Sequence, residues 1–200
     1  AKYGIDIVNN TGYIDALSKY ADSELVNKTN PYDDDTSHYY SVGDIDNDGL
    51  LEIAVFEENF SSSSEATPNN VKLFKYVDGR YSLSSTVQSN ADYCINISIS
   101  KAKDDINGIF VSGGIGAHSG RQSLYIIKDG ELTSAIDEDI VSLYPSEIKD
   151  IDGDKILELS SLERDPNDPD TCNADCATIL TWYKWDGENG LITVKIEDGN

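Results

Sequence analysis

One nine-residue stretch constrains this chain more than any other. It reads Asp44-Ile45-Asp46-Asn47-Asp48-Gly49-Leu50-Leu51-Glu52, and it returns as Asp150-Ile151-Asp152-Gly153-Asp154-Lys155-Ile156-Leu157-Glu158. Both copies carry Asp at positions 1, 3 and 5 and Glu at position 9, and both run on into apolar residues (Ile53-Ala54-Val55-Phe56; Leu159). Carboxylates at alternate positions of so short a turn crowd together. Two of them about 4 Å apart repel by about 4 kcal/mol at an effective dielectric of about 20. A hard dication held by oxygen ligands removes that repulsion, and calcium accepts the irregular coordination such a loop offers. A metal-free hairpin explains a single Asp-Gly run, and explains two copies with one acid spacing much less readily. Both loops are therefore read as calcium sites.

An EF-hand loop also begins D-x-D-x-D-G, but it needs a bidentate acid at position 12 and a helix on each side. Position 12 is Val55 in one copy and Ser161 in the other, and the flanks are rich in Tyr, Val and Ile, as strands are. What remains is a strand-to-strand loop. Its ligands are the side-chain oxygens of Asp44, Asp46, Asp48 and Glu52 with the Leu50 carbonyl, and those of Asp150, Asp152, Asp154 and Glu158 with the Ile156 carbonyl.

At Asp44 to Phe56 (DIDNDGLLEIAVF) the chain resembles the FG-GAP/VCBS-type repeat, whose core is D-x-[DN]-x-D-G-x-x-[DE]-[LI]-[AV]. The resemblance implies calcium loops of the kind found in integrin alpha-chain propellers and in many secreted bacterial proteins. The second copy departs at Lys155, where the family has Gly. Position 6 calls for a left-handed backbone, so the second site is expected to be the weaker. The resemblance begins near residue 39 and says nothing of residues 1–38.

From Tyr39 the chain reads as short strands and turns. Tyr39–Val42 and Leu51–Glu57 flank the first loop; after a Ser-rich stretch (61–70), Val71–Tyr76 and Tyr81–Leu83 form a hairpin around Asp78-Gly79. The plan recurs, as in a repeat fold. Cys94–Ser100 and Ile109–Ser112 flank Lys101–Asp105, then Ser123–Ile127 turns at Asp129-Gly130 into Glu131–Thr133. Alignment there puts Ser100, Ala102 and Asp104 at the first three acid positions, so this middle loop is expected to bind no calcium. The third unit has Ser146–Lys149, the second acidic loop and Leu157–Leu162. It continues with an insertion (163–176), Thr178–Trp185, Asp186-Gly187 and Leu191–Ile196. First-acid positions at 44, 100 and 150 give steps of 56 and 50. The expected fold is all-β: three four-stranded antiparallel, propeller-like blades (units 39–90, 91–140 and 141–200). Since propellers close with about four to eight blades, three make an open or partial one. Residues 1–38 form a separate segment, with a short strand at Tyr3–Val8, a short helix around Ile14–Ala21 and a polar connector ending at Asp33–Asp35.

Composition limits the partners. The net charge of −22 over 200 residues repels nucleic acid and anionic membranes, and no run approaches the roughly 18 apolar residues of a membrane helix. The chain has no Met even at residue 1, so it is read as a mature chain whose targeting segment is gone, secreted or lipid-anchored at a cell surface. Cys172 and Cys176 are expected to form a local disulfide, and Cys94 to be a buried free thiol. A zinc site wants four N or S ligands in one place; besides Cys172 and Cys176 the chain offers only Cys94, His38 and His118, scattered along the sequence, and zinc is not expected. Gly113–Arg121 lacks the G-x-S-x-G of a serine hydrolase and the strand-to-helix step of a phosphate loop. It is read as a glycine-rich connection whose His118 and Arg121 form a candidate ligand surface. The function expected is a non-catalytic, calcium-binding extracellular module presenting loops or a sheet face to protein or glycan. The alternatives are a domain of a polysaccharide-active enzyme and a structural piece of a larger propeller that self-associates through open sheet edges.

Overall fold

The computed structural model describes residues 40–58, 68–78, 80–143, 147–167, 176–188 and 190–199. The expected N-terminal strand, helix and Asp33–Asp35 run lie outside them, as does most of the Ser-rich stretch. Among the described residues there are thirteen strands and no helix. The first sheet is β1 (Tyr40–Gly43), β2 (Glu52–Glu57), β3 (Asn69–Val77) and β4 (Arg80–Ser89), antiparallel in chain order. The second is β5 (Tyr93–Lys103), β6 (Ile106–Ile115), β7 (Ser119–Lys128) and β8 (Glu131–Ser134), with β9 (Ile140–Leu143) also on β7. The third is β10 (Ile148–Lys149), β11 (Glu158–Arg164), β12 (Thr178–Trp185) and β13 (Leu191–Gly199). Among the described residues no sheet closes on itself.

The second sheet has five strands rather than four. β8 pairs with β7 from Tyr125 to Lys128, and β9 pairs with it from Ser119 to Gln122, both antiparallel. They are two halves of one interrupted edge strand. Between them Ala135 and Ile136 turn into the core, each 3% exposed, which is what breaks the strand. Periodicity around residues 135–143 is too short to reveal such a break, and Ile140–Leu143 fell at the border of the expected third unit.

Alternation along β6 and β7 makes the second sheet the centre of the stack. Ile109, Val111 and Tyr125 join a core with Ala54, Phe56, Val71 and Leu73 of the first sheet. Phe110, Leu124 and Ile126 point the other way, into a core with Leu159 and Trp185 of the third. A sheet covered on both faces needs apolar residues in continuous runs rather than every second place, and Ile109-Phe110-Val111 and Leu124-Tyr125-Ile126 supply them. The second join also carries a polar bridge. The fully buried Gln122 donates through Nε2 to the Glu147 carbonyl (2.9 Å), and its Oε1 accepts the Ser160 N–H (2.9 Å).

Gly113 and Gly114 belong to β6, not to a loop; the turn is confined to 116–118. Gly114 lies opposite Tyr93, and a Cβ there would stand 2.0 Å from the tyrosine ring. Gly114 thus makes room for the aromatic ring across the ladder, and Gly113 for Ala91 and the Tyr93 carbonyl. The Asp129-Gly130 hairpin is as expected: both residues have positive φ, at 53° and 86°, the pair of left-handed residues a type I′ turn requires.

Phe110→Ala should lower the unfolding free energy by about 3–5 kcal/mol through lost burial and the cavity left behind. The same truncation at Ile192, 54% exposed on β13, should change it by less than about 0.5 kcal/mol. Urea titration followed by tryptophan fluorescence checks both; equal effects would contradict the central position of β6.

Candidate metal centres

Both acidic loops are bent by similar internal bonds, differing in the first one made by the leading aspartate. Asp44 accepts the N–H of Asp48 (Oδ1, 3.1 Å) and of Gly49 (Oδ2, 3.0 Å). Asp150 accepts that of Gly153 (Oδ1, 2.6 Å) and of Lys155 (Oδ2, 2.9 Å). Asp48 and Asp154 each accept the N–H two residues on, from Leu50 (2.7 Å) and Ile156 (2.8 Å). The position-9 glutamate reaches back seven residues: Glu52 Oε2 accepts the Ile45 N–H (2.9 Å), and Glu158 Oε2 that of Ile151 (2.7 Å). Positions 4 and 6 have positive φ in both loops, with glycine at a different one of the two. In the first, Asn47 is at 59° and Gly49 at 86°; in the second, Gly153 is at 82° and Lys155 at 73°. Lys155 therefore holds the left-handed backbone that its place in the motif demands, despite its side chain.

These bonds fold the acids toward one another. Carboxylate oxygens of Asp44, Asp46 and Asp48 come within 4.8 Å of each other, and so do those of Asp150, Asp152 and Glu158. A carboxylate oxygen has more than one acceptor direction, so accepting one N–H leaves room for a cation. Either group could hold a metal ion, and hard carboxylate donors suit a hard one. Glu52 and Glu158 sit beneath the loops, 1% and 0% exposed. Burial pushes the Glu52 carboxyl up to about 7; the Ile45 N–H opposes the rise, the Asp46 and Asp48 charges add to it, and Lys75 lowers it.

Two lysines that motif reading passed over complete the picture. β2 pairs with β3 at Ile53–Phe74 and β11 with β12 at Leu159–Tyr183. One step further along each ladder puts Lys75 beside Glu52 and Lys184 beside Glu158. Lys75 Nζ meets Asp46 Oδ2 at 2.5 Å. Lys184 Nζ meets Asp154 Oδ2 at 2.6 Å, Asp152 Oδ2 at 2.7 Å and Glu158 Oε1 at 2.9 Å. Burial lowers the basicity of both ammonium groups, but bonds to these carboxylates outweigh it and hold both above the ordinary range. The signal in the sequence was the spacing across each hairpin, which only strand register reveals.

The hairpin end of the second sheet lies between the loops. Asn107 Nδ2 donates to the Asp44 carbonyl (2.6 Å) and to Asn47 Oδ1 (3.0 Å), while Asn47 Nδ2 donates to the Asp105 carbonyl (2.7 Å). On the other side Leu157 N–H donates to the Lys101 carbonyl (3.1 Å), and Lys103 Nζ to the Asp186 carbonyl. The middle unit has no nine-residue loop at all. β5 and β6 run on to a tight turn at Asp104-Asp105, with Lys103 opposite Ile106. Gly108 and Ile126 stand where the glutamate and lysine would be, so both members of the buried pair are gone. Tyr81 braces the first loop from β4, its hydroxyl donating to the Leu51 carbonyl (2.8 Å).

The other candidates lie apart from these loops. His118 is exposed in the β6–β7 turn, whereas Arg121 faces Asp139 across 3.4 Å, so its charge is partly spent within the fold. Cys176 is half-buried just before β12, and Cys172 lies outside the described residues, as does the expected bridge between them. Cys94 is buried in the first core, where burial, with the Glu58 charge adding to it, raises its thiol far above the ordinary range.

Two measurements probe this geometry. Glu52 binds its proton up to about pH 7 in the folded chain and only to about its ordinary value of 4.5 when unfolded. Its contribution is therefore full below the lower value and lost as pH rises through the upper one. In chelator, stability should fall between about pH 5 and 7 by something on the order of 1–3 kcal/mol, and Glu52→Gln should flatten that fall. An unchanged slope in the variant would exclude Glu52 as its source. Separately, Lys155→Gly should raise the unfolding free energy by about 1 kcal/mol by relieving a side chain at φ 73°; a loss would show that Lys155 makes a compensating contact.

Comparison of the chain with known protein families, with curated proteins and with solved structures finds no match.

Proposed function

We propose that this chain is a non-catalytic, calcium-stabilised extracellular module, built of blade-like sheets related to FG-GAP/VCBS-type repeats. Its loops and sheet edges are offered to a protein or glycan partner. The observation that carries the reading is the convergence of Asp44, Asp46 and Asp48 within 4.8 Å over a buried glutamate. Three crowded carboxylates with one lysine beside them are short of positive charge, and a dication supplies it. Calcium is favoured because every donor is oxygen and the loop is irregular, and because millimolar calcium outside cells would fill even a modest site.

The ion's role follows from where the loop sits. It joins the end of β1 to the start of β2 and rests on the Asn107 side chain of the next sheet. Calcium held there cancels the repulsion that would otherwise open the loop, and so fastens the first two sheets together. The blade-like reading is supported by three antiparallel sheets stacked in chain order through two apolar cores.

Calcium at about 100 times its dissociation constant stabilises the folded state by about 2.7 kcal/mol, which for a chain of this length is a rise in Tm of roughly 5–10 °C. Differential scanning calorimetry in calcium and in chelator should show that rise, and Asp46→Ala should remove most of it. Superimposable melting curves in the two buffers would refute the proposal.

A further inference from the structure

The two acidic loops share a backbone design but not an electrostatic one. In the first, Lys75 forms its ion pair with Asp46 alone among the described residues, and the three aspartates still converge. In the second, Lys184 touches three carboxylates at 2.6–2.9 Å. An ammonium has three N–H donors; here two are given to Asp152 and Asp154, and Glu158 Oε1 faces the charge at ion-pair distance without a hydrogen bond. Its side chain is 17% exposed, against 43% and 44% for Asp152 and Asp154, so it lies beneath them, beside the fully buried Glu158. Asp154 is drawn onto this lysine and does not join the group formed by Asp150, Asp152 and Glu158. Lys184 thus reaches two of the three acids, Asp152 and Glu158, that could hold a metal ion in this loop.

We propose that Lys184 is a tethered counter-ion that substitutes for calcium in the second loop, so that the chain carries one metal-dependent loop and one that is closed by its own side chain. A lysine across the strand costs no free ion to bind, because its effective concentration is set by the fold. It contributes one positive charge where calcium brings two. Lys155, in the place of Gly49, adds a second charge near the same loop and reduces its demand for a dication. The two loops then respond differently to the surroundings: the first tightens with calcium, and the second holds its shape whatever the calcium level.

The inference takes the calcium reading of the first loop as its point of comparison, and calorimetric titration of the full chain with calcium chloride separates the two. The wild-type chain should take up about one ion, and Lys184→Gln should take up about two, since removing the ammonium exposes three oxygens that crowd without a cation. Two equivalent ions on the wild type, or an unchanged single ion on Lys184→Gln, would overturn the proposal. Should that variant fail to fold, Asp44→Asn decides: it should abolish calcium uptake, whereas a remaining ion would show that the second loop binds after all. No uptake by the wild type with one ion on Lys184→Gln would sink the reading of the first loop and support the tethered lysine. No uptake by either would sink both.

Discussion

A buried carboxylate under a ring of other carboxylates is the constraint on which the acidic loops depend. Glu52 and Glu158 are the least exposed acids of their motifs, and each accepts a backbone N–H from position 2. That bond closes the loop, but it places a carboxyl where a negative charge is costly to hold, which is why burial pushes Glu52 up to about 7. The aspartates above are held in turn by bonds to the turn's own N–H groups, so they cannot swing away. Positive charge must come from somewhere. The molecule has an internal source, the lysine on the neighbouring strand, and the two loops draw on it to different degrees.

The middle unit shows what happens when the constraint is lifted. With Gly108 in place of the glutamate there is no buried charge to neutralise, and Ile126 replaces the lysine. The long loop gives way to a tight turn at Asp104-Asp105, where Asp104 has a φ of 40°. The shortened hairpin then becomes a support for its neighbours. Asn107 and Asp105 bond to the first loop, and Lys101 and Lys103 bond to the third unit. Loss of a charged site from the centre of the stack leaves a neutral spacer between two charged ones.

Much of this was legible in the residues. Alternate acids announced the loops, Asp-Gly pairs announced hairpins at residues 129–130, and the unit spacing announced three antiparallel sheets. What could not be read was whatever depends on register across strands. Lys75 and Lys184 lie more than twenty residues from the carboxylates they face, and no local pattern couples them. The interrupted strand β8–β9 was hidden because Ala135 and Ile136 are apolar in a place where alternation and a core-directed kink look alike. Gly113 and Gly114 suggested a loop because glycine usually marks one; here they are hollowed out for Tyr93, a contact known only once β5 is aligned on β6.

The Gln122 amide has a further consequence. It spans from the second sheet to the third with both ends occupied, one on the carbonyl of Glu147 and the other on the N–H of Ser160. Apolar faces can slide over one another at little cost, because dispersion has no preferred direction. A primary amide wedged between a fixed acceptor and a fixed donor cannot: a shift of one residue would leave the fully buried Gln122 amide without its partners. This one side chain therefore acts as an indexing pin, setting where along its length the third sheet meets the second.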